Sequence, residues 1–335
     1  MATMRAVQIQ AYGPPESLKI AEVPIPTPQA GEVRIKLDLA GISFGDVYQR
    51  WGYYKPPHPY GTVLPYIPGI DGYGRIDACG EEVSDFEKGD RVTYCLGFHS
   101  YAEYVIVPAW KVVKVPDIIP ADVAVTCMVN GQTAYYLTNV LFPLEPRHTC
   151  LVHAGAGSVG QLVIQLAKMR GARVLTTVGS PDKERIVKRL GADVTILYRE
   201  VDFCEAVFNA TKGKGVDVVY DSVGASTIKK SLKSLRPRGM GVLYGAASGA
   251  VEGSSAIEPM ADLGENGSVF LTRPILAHYM TTAFDIERCA TTLFGAYAIG
   301  KLEITIDRTF DLADAAKAHE VLESRSSTGK LLLRV

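Results

Sequence analysis

Residues 150–162, CLVHAGAGSVGQL, join a short apolar run to a helical one through Gly155-Ala156-Gly157-Ser158-Val159-Gly160, and their reading decides the fold. The spacing is that of a dinucleotide pyrophosphate loop. Gly155 lets the chain turn off a strand, Gly157 lets backbone approach a phosphate, and Gly160 lets the next helix pack closely on the sheet, its amides meeting the anion. Glycine is common here, at 32 of 335 residues, so a G-x-G-x-x-G pattern alone would also fit a turn made for packing. The flanks favour the dinucleotide reading: residues 149–153 are strand-like, QLVIQLAKMRGA has helical periodicity ended by Gly171, and RVLTTVG reads as the next strand.

Working outward, the alternation continues through residue 249: VLTTV, DKERIVKRLGA, VTILY, a helix around FCEAVFNAT, VDVVYDSVG, TIKKSLKSLRP and GMGVLYGAASG. Strands alternating with helices predict a parallel sheet covered on both faces, whose ligands bind beyond the carboxyl ends of its strands. Those ends are Gly179-Ser180, Tyr198-Arg199, Asp221-Ser222-Val223-Gly224 and Tyr244-Gly245-Ala246-Ala247. Each alone fits ordinary turn chemistry; together they outline a groove. About residues 4–110 differ, with short β-type runs (MRAVQIQ, EVRIKLDLA, RVTYCLG, AEYVIVP) between Gly and Pro, a pattern of a barrel-like domain. Within it, residues 41–54, GISFGDVYQRWGYY, and the proline-rich KPPHPYGTVLPYIPG read as a loop segment at a site rim. A helical stretch from about 119 to 140 bridges the two regions, and the tail supplies SVFLTR, a helix around 284–299, EITIDRTF, LADAAKAHEVLES and KLLLRV, which close the first domain.

Composition bounds the partners. With 35 basic and 36 acidic side chains the formal charge is -1, which gives no electrostatic case for nucleic acid or membrane and favours small neutral or weakly charged ligands. The start, MATMRAVQIQAYG, has no long apolar segment, and no apolar run approaches the roughly 20 residues of a spanning helix. A soluble cytoplasmic protein is expected. The six cysteines, Cys79, Cys95, Cys127, Cys150, Cys204 and Cys289, form no C-x-x-C pair and have no histidine at zinc-ligand spacing, so free thiols and no structural zinc are expected.

An NAD site usually carries Asp or Glu about 20 residues after the glycines, on the ribose 2′-hydroxyl. Here that place reads Val178-Gly179-Ser180 with Lys183 following, a hydroxyl and an ammonium suited to a 2′-phosphate, so NADPH is the expected cofactor. The alternative for Lys183 is a solvated helix residue.

The stretches AGISFGDVYQRWGYY, GQTAYYL, HAGAGSVG, TVGSPDK, VVYDSVG, YGAASGAV, FLTRP and AHEVLESR, spread from end to end, resemble the zinc-free quinone oxidoreductase, or zeta-crystallin-like, branch of the medium-chain dehydrogenase/reductase superfamily. The resemblance implies an α/β protein: a GroES-like β-barrel catalytic domain from residues 1–125 and 268–335, and a Rossmann domain, a doubly wound parallel sheet, from 126–267. It implies NADPH-dependent reduction of a small-molecule quinone and a homodimer paired through the edge of the Rossmann sheet. By the same resemblance, Asp46 and Thr133 fall near the nicotinamide and Gly157, Ser158 and Val159 at the pyrophosphate. Gly179, Ser180, Lys183 and Tyr198 fall at the 2′-phosphate and adenosine end. Ser222, Tyr244, Gly245, Ala246 and Ser248 line the groove, Phe270, Thr272 and Arg273 lie beside the nicotinamide, and Arg325 matches a tail arginine that reaches the cofactor. Tyr48 and Tyr54 match an aromatic pair lining the quinone pocket. Ser43 and Ala246 stand where relatives usually have Asn, which bears on substrate preference.

Zinc-dependent cousins place Cys at Ser43 and Gly-His-Glu where this chain reads Gly69-Ile70-Asp71. Ser43 and Ile70 cannot complete a catalytic zinc site, so alcohol dehydrogenation lacks its Lewis acid. A quinone needs less help, because orientation and apolar packing serve a ring that is already electron-poor. Tyr48 is the candidate hydrogen-bond donor to the accepting carbonyl and Tyr54 a wall of the ring, the alternative being that both only pack. Two other functions fit less closely: a 2-alkenal or enoyl reductase, and a cofactor-gated RNA-binding role weakened by the near-neutral charge. Glu81, Glu82, Asp85, Glu87 and Asp90 read as a solvated turn, Lys229, Lys230 and Lys233 as a wet helix face, and Cys127 and Cys150 as inert core thiols.

Overall fold

The computed structural model describes residues 2–335. The chain divides into two compact units, one made of the residues through Gln132 with Tyr279–Gly300 and Ile304–Val335, the other of Thr133–His278 with Lys301–Glu303.

In the second unit six strands form one sheet: Thr149–Val152, Arg173–Val178, Val194–Leu197, Val216–Asp221, Leu235–Leu243 and Phe270–Thr272. Numbered along the chain, they lie in the order 3-2-1-4-5-6, every pair parallel. That is the doubly wound arrangement, whose switch point lies between the first and fourth strands. Its central strands are fully buried at Cys150, Leu151, Val152, Val174, Leu175, Val218 and Val219. Such continuous apolar runs belong to a sheet covered on both faces. Leu151, Leu175, Ile196, Phe203, Val207, Val219, Ile228 and Leu232 pack as one core, and the helices Ser158–Met169, Pro181–Arg189, Phe203–Ala210 and Ile228–Lys233 make the crossovers.

The first unit pairs Thr3–Gln8 with Lys19–Pro24 and builds a seven-stranded sheet from Glu32–Ile42, Asp71–Cys79, Arg91–Cys95, Tyr104–Pro108, Val112–Lys114, Ile306–Asp311 and Lys330–Arg334. The ladder branches at Glu32–Ile42. One edge of that strand pairs with Asp71–Cys79, while the other gives its first half to Tyr104–Pro108 and its second to Lys330–Arg334. Register shifts at Arg34/Ile35 and Leu37/Leu39 bend the strand, which lets it change partner. The barrel-like pattern of the sequence thus takes the form of a branched sheet completed by the tail.

One strand has no counterpart in the sequence-based reading, and the bridging helix departs from its own. DGYGRIDAC forms a strand its glycines disguise: a Cβ on Gly74 would sit 2.0 Å from the Lys36 carbonyl oxygen, and one on Gly72 2.7 Å from the Tyr94 hydroxyl. Glycine here marks close approach rather than a turn. The helical stretch begins as Ala121–Thr126 and breaks at Met128, where ψ is -105°. The Val129 amide donates to Asp71 Oδ2 at 3.2 Å. A side chain inserted at a helix break compensates the disturbed ladder. Among the described residues no helix is long and apolar enough to cross a membrane.

Gly74→Ala therefore tests the strand. The added methyl forces two backbones apart, so the variant is expected to lose about 3 kcal/mol of unfolding free energy in urea titration; a loss under about 0.5 kcal/mol would mean the approach is not tight.

Candidate active site

In the second unit the glycine-rich turn ends the first strand and caps the Ser158–Met169 helix with Gly157. A Cβ on Gly155 would lie 2.0 Å from Thr176 Oγ1 and one on Gly160 2.4 Å from the Ala154 carbonyl oxygen, whereas one on Gly157 meets only that carbonyl, at 3.2 Å. Gly155 and Gly160 are thus fixed by packing, and Gly157 leaves a cradle open at a helix N-terminus. Beside it the Ser158 hydroxyl is buried without a hydrogen-bond partner among the described residues. An unsatisfied hydroxyl and the positive end of a helix dipole fit a pyrophosphate.

The neighbouring strand ends are tied together by a directional chain that sequence reasoning missed. Ser231 Oγ donates to Asp221 Oδ2 at 2.7 Å, so it accepts from His153 Nε2 at 3.0 Å, leaving Nδ1 to accept from Thr177 Oγ1 at 2.9 Å. Asp221 Oδ1 in turn accepts the Val223 and Gly224 amides, shaping the turn that carries Ser222. Ser248 donates to the Val223 carbonyl at 2.7 Å and the Ala247 amide to the Ser222 carbonyl, joining the fourth and fifth strand ends. A Cβ on Gly245 would strike that Ser222 carbonyl at 2.5 Å, and Ala246 beside it is buried. Burial raises Tyr244 to about 12, opposed by a Ser222 hydrogen bond.

At the second strand end Ser180 caps Pro181–Arg189, accepting from the Lys183 amide at 3.4 Å, and the Tyr198 hydroxyl stands 3.0 Å from where a Gly179 Cβ would be. Thr133 and Val159 are half-buried. Arg273 donates to the Leu243 carbonyl at 3.1 Å, Thr272 ends the sixth strand, and Phe270 beside it is 58 % exposed. Arg325 belongs to the first unit, in a left-handed turn at φ 57°. Lys229 and Lys230, read as wet, are paired with Asp262 and Asp202.

In the first unit the segment read as a loop holds a helix, Phe44–Arg50, started by a capping box of Ser43 and Asp46. The S-x-x-D spacing is the signal that would have found it. Both the Ser43 amide, at 2.7 Å, and its hydroxyl, at 3.0 Å, donate to Asp46 Oδ2. Asp46 is 1 % exposed, and its Oδ1 has no hydrogen-bond partner among the described residues. Burial first, then the Asp71 carboxylate, raise Asp46 to about 7 against the pull of the Ser43 amide and Lys330. Asp71, also raised by burial, lies 3.6 Å from the Lys330 ammonium, which donates to Asn130 Oδ1. Neither Asn130 nor Lys330 was singled out in the sequence, where nothing links them to Asp71.

On the next turn Arg50, fully buried, donates to the Gly13 carbonyl, to Glu323 and to His319 Nδ1 at 3.2 Å. With Nδ1 accepting, His319 donates from Nε2 to the Tyr101 hydroxyl at 3.0 Å. Burial and the adjacent guanidinium lower His319 to about 3.

Tyr48, buried, is ringed by Phe44, Trp51, Tyr53 and Tyr54, with centroids 5.7 to 6.0 Å away. Tyr54 stacks on His58 at 4.2 Å and 11°, and Tyr60 meets Tyr54 at 5.6 Å and Phe98 at 6.1 Å. The two expected pocket tyrosines thus share one aromatic wall with His58 and Tyr60, which the sequence reading left out.

Zinc does not fit. A Cβ on Gly45 would meet the Ile70 methyl at 2.7 Å, so an aliphatic side chain fills the place beside Ser43. No group of three His, Cys, Asp or Glu among the described residues could hold a metal ion. Cys127 and Cys150 are core thiols that burial pushes up to about 12.

Two family models match the chain: an alcohol dehydrogenase GroES-like domain over residues 29–117 and a zinc-binding dehydrogenase over 158–273. With the two sheets described above, they define the chain as a medium-chain dehydrogenase/reductase. A 2-haloacrylate reductase from a Burkholderia species is 38% identical over 332 residues, covering 98% of each chain. A quinone oxidoreductase from Pseudomonas aeruginosa is 38% identical over 330 residues, 98% of this chain and 99% of the relative. The Escherichia coli quinone oxidoreductase solved with NADPH superposes with a TM-score of 0.93 at 35% identity, covering 100% of both chains. This protein belongs to the zinc-independent quinone oxidoreductase branch of that superfamily.

The His319 environment has a measurable consequence. The native protein refuses a proton that the unfolded chain takes near 6.5, so His319 contributes stability in full above that value, and loses it as pH falls toward about 3. Asp46, raised from 3.8 to about 7, works in the opposite direction, so wild type must be compared with His319→Gln rather than read alone. The stability difference between them is expected to shrink by about 2 kcal/mol from pH 7 to pH 5 in denaturant titrations. An unchanged difference would mean His319 is not held neutral.

Proposed function

We propose that this protein reduces quinones with NADPH and without zinc, and the observation that carries the reading is the replacement of zinc donors by Ile70 and Ser43 beside an aromatic wall. When bound, NADPH supplies the hydride. Gly157, Ser158 and Val159 receive the pyrophosphate. The Ser180 hydroxyl, the Lys183 ammonium and Tyr198 take the 2′-phosphate, where an acidic side chain would select NADH instead. Asp46, Thr133, Thr272 and Arg273 serve the nicotinamide end, and Arg325 the cofactor from the tail. Tyr48 and Tyr54 hold a flat ring by packing, which orients it and excludes water.

The protein pairs as a homodimer through Phe270–Thr272, the last strand of its sheet, whose outer edge has no partner among the described strands and whose Phe270 is exposed. Such an edge is a template for a second copy. It acts in the cytoplasm, with its six cysteines free. A second reading, reduction of a carbon–carbon double bond conjugated to a carbonyl, is favoured by the relative named 2-haloacrylate reductase.

Anaerobic loss of NADPH absorbance decides among these. Rapid turnover is expected on 1,4-benzoquinone and 9,10-phenanthrenequinone, with little on trans-2-hexenal and little from NADH; turnover on the enal alone would promote the second reading. In the same assay Lys183→Ala is expected to weaken NADPH at least tenfold while leaving NADH within twofold. Equal weakening of both would remove Lys183 from the 2′-phosphate.

A further inference from the structure

An aromatic wall holds a ring but does not say where the proton of the reduction comes from. We propose that Asp46 is the proton source of the reaction and that Ser43 hands the proton to the substrate oxygen. The proposal rests on the quinone-reductase reading and on the arrangement around these two residues.

Ser43 Oγ lies 3.0 Å from Asp46 Oδ2, and the Ser43 amide donates to the same oxygen at 2.7 Å. Asp46 is 1 % exposed, and its other oxygen has no hydrogen-bond partner among the described residues. The nearby ammonium is committed elsewhere: Lys330 is held by Asp71 and Asn130. An ionised Asp46 would therefore be a buried carboxylate with a second carboxylate close by, an arrangement that favours the protonated form. With the proton on Oδ2, the direction of the 3.0 Å contact reverses. Asp46 then donates to Ser43 Oγ, which turns the Ser43 hydroxyl hydrogen toward a substrate.

The groups facing Asp46 pull in both directions, and Asp71 is itself raised by burial. Asp71 raises Asp46 and Lys330 lowers it. Burial first, then the charge of Asp46, raise Tyr66 and Tyr101, and a hydrogen bond to Asp46 raises Tyr101 as well. His319, behind Tyr101, is lowered to about 3. Asp46 at about 7 matches a general acid working at neutral pH.

The step balances. The quinone receives a hydride, supplied by NADPH, and one proton. The Ser43 O–H bond breaks as the substrate O–H bond forms, Ser43 regains a hydrogen from Asp46 Oδ2, and the resulting Asp46 carboxylate accepts from the Ser43 hydroxyl and amide until water reprotonates it.

The test compares wild type with Asp46→Asn, Ser43→Ala and Ser43→Thr. Wild-type kcat on benzoquinone is expected to be level below pH about 7 and to fall tenfold per pH unit above it. Ser43→Thr keeps a hydroxyl and should keep the break. Asp46→Asn and Ser43→Ala should lose the break and about 100-fold in kcat, with KM within threefold. Infrared difference spectra give a readout free of turnover: a protonated carboxylic acid band at pH 6, lost by pH 8.5 and missing from Asp46→Asn at both. Wild type that reduces quinones without the band, or a break retained in Asp46→Asn, overturns the proposal. Wild type that carries the band and reduces no quinone overturns the quinone reading, and the proposal with it.

Discussion

The buried ion pair of Lys330 with Asp71 holds the beginning, middle and end of the first unit in one place. Both side chains are essentially inaccessible to water. Breaking such a pair by removing one partner leaves an uncompensated charge in a poorly polarisable interior, which costs about 3–5 kcal/mol. Asp71 opens the Asp71–Cys79 strand and also accepts the Val129 amide at the helix break, while Lys330 opens the last strand of the chain. The N-terminal residues thus cannot neutralise their own aspartate. They need the tail strand seated between Glu32–Ile42 and Ile306–Asp311, which is why this unit is built from separated stretches of sequence.

That pair also governs the chemistry beside it. Lys330 has one ammonium for two buried carboxylates; it pairs with Asp71 at 3.6 Å and donates its hydrogen bond to Asn130. Asp46 is left with Ser43 and the Tyr101 hydroxyl. In a site organised around zinc, a dication would dominate the local charge balance and draw nearby acids into their ionised form. With Ile70 in the place of a donor, neutrality has to come from protonation, and Asp46 is the group that takes it up. An aliphatic side chain in the place of a zinc donor therefore bears on the acid–base behaviour of its neighbours as well as on Lewis acidity.

The two units differ in how much of them could be read from the sequence. The dinucleotide cradle was legible because its parts are local: Gly155, Gly157 and Ser158 act through backbone and a helix end within a few residues, and the order of strands and helices fixes where they lie in the sheet. Ser180 and Lys183 are likewise joined locally, through the hydrogen bond that starts their helix. Asp71–Cys79 was missed because Gly72 and Gly74 look like turn residues, and the reason for glycine, contact with the Lys36 backbone and the Tyr94 hydroxyl, lies on other strands. The helix Phe44–Arg50 was missed among aromatics and prolines although its capping box was present in the sequence.

What local pattern could not supply is the polar interior of the first unit. Asp71 meets Lys330, Arg50 meets His319 and Glu323, and Tyr101 meets His319, each pair joined only by the fold. In the sequence His319 is one of six histidines without a partner, and Lys330 is the first residue of an apolar run. Each becomes informative when its burial is known, because a buried charge or imidazole must be matched. Arg50 shows the consequence for function: through His319 it fixes which imidazole nitrogen carries the hydrogen, and through its helix it shares a scaffold with Ser43, Asp46 and Tyr48. The tail helix Ala315–Glu323 thus supports the helix that carries the candidate chemistry, although it contributes none of those three side chains itself.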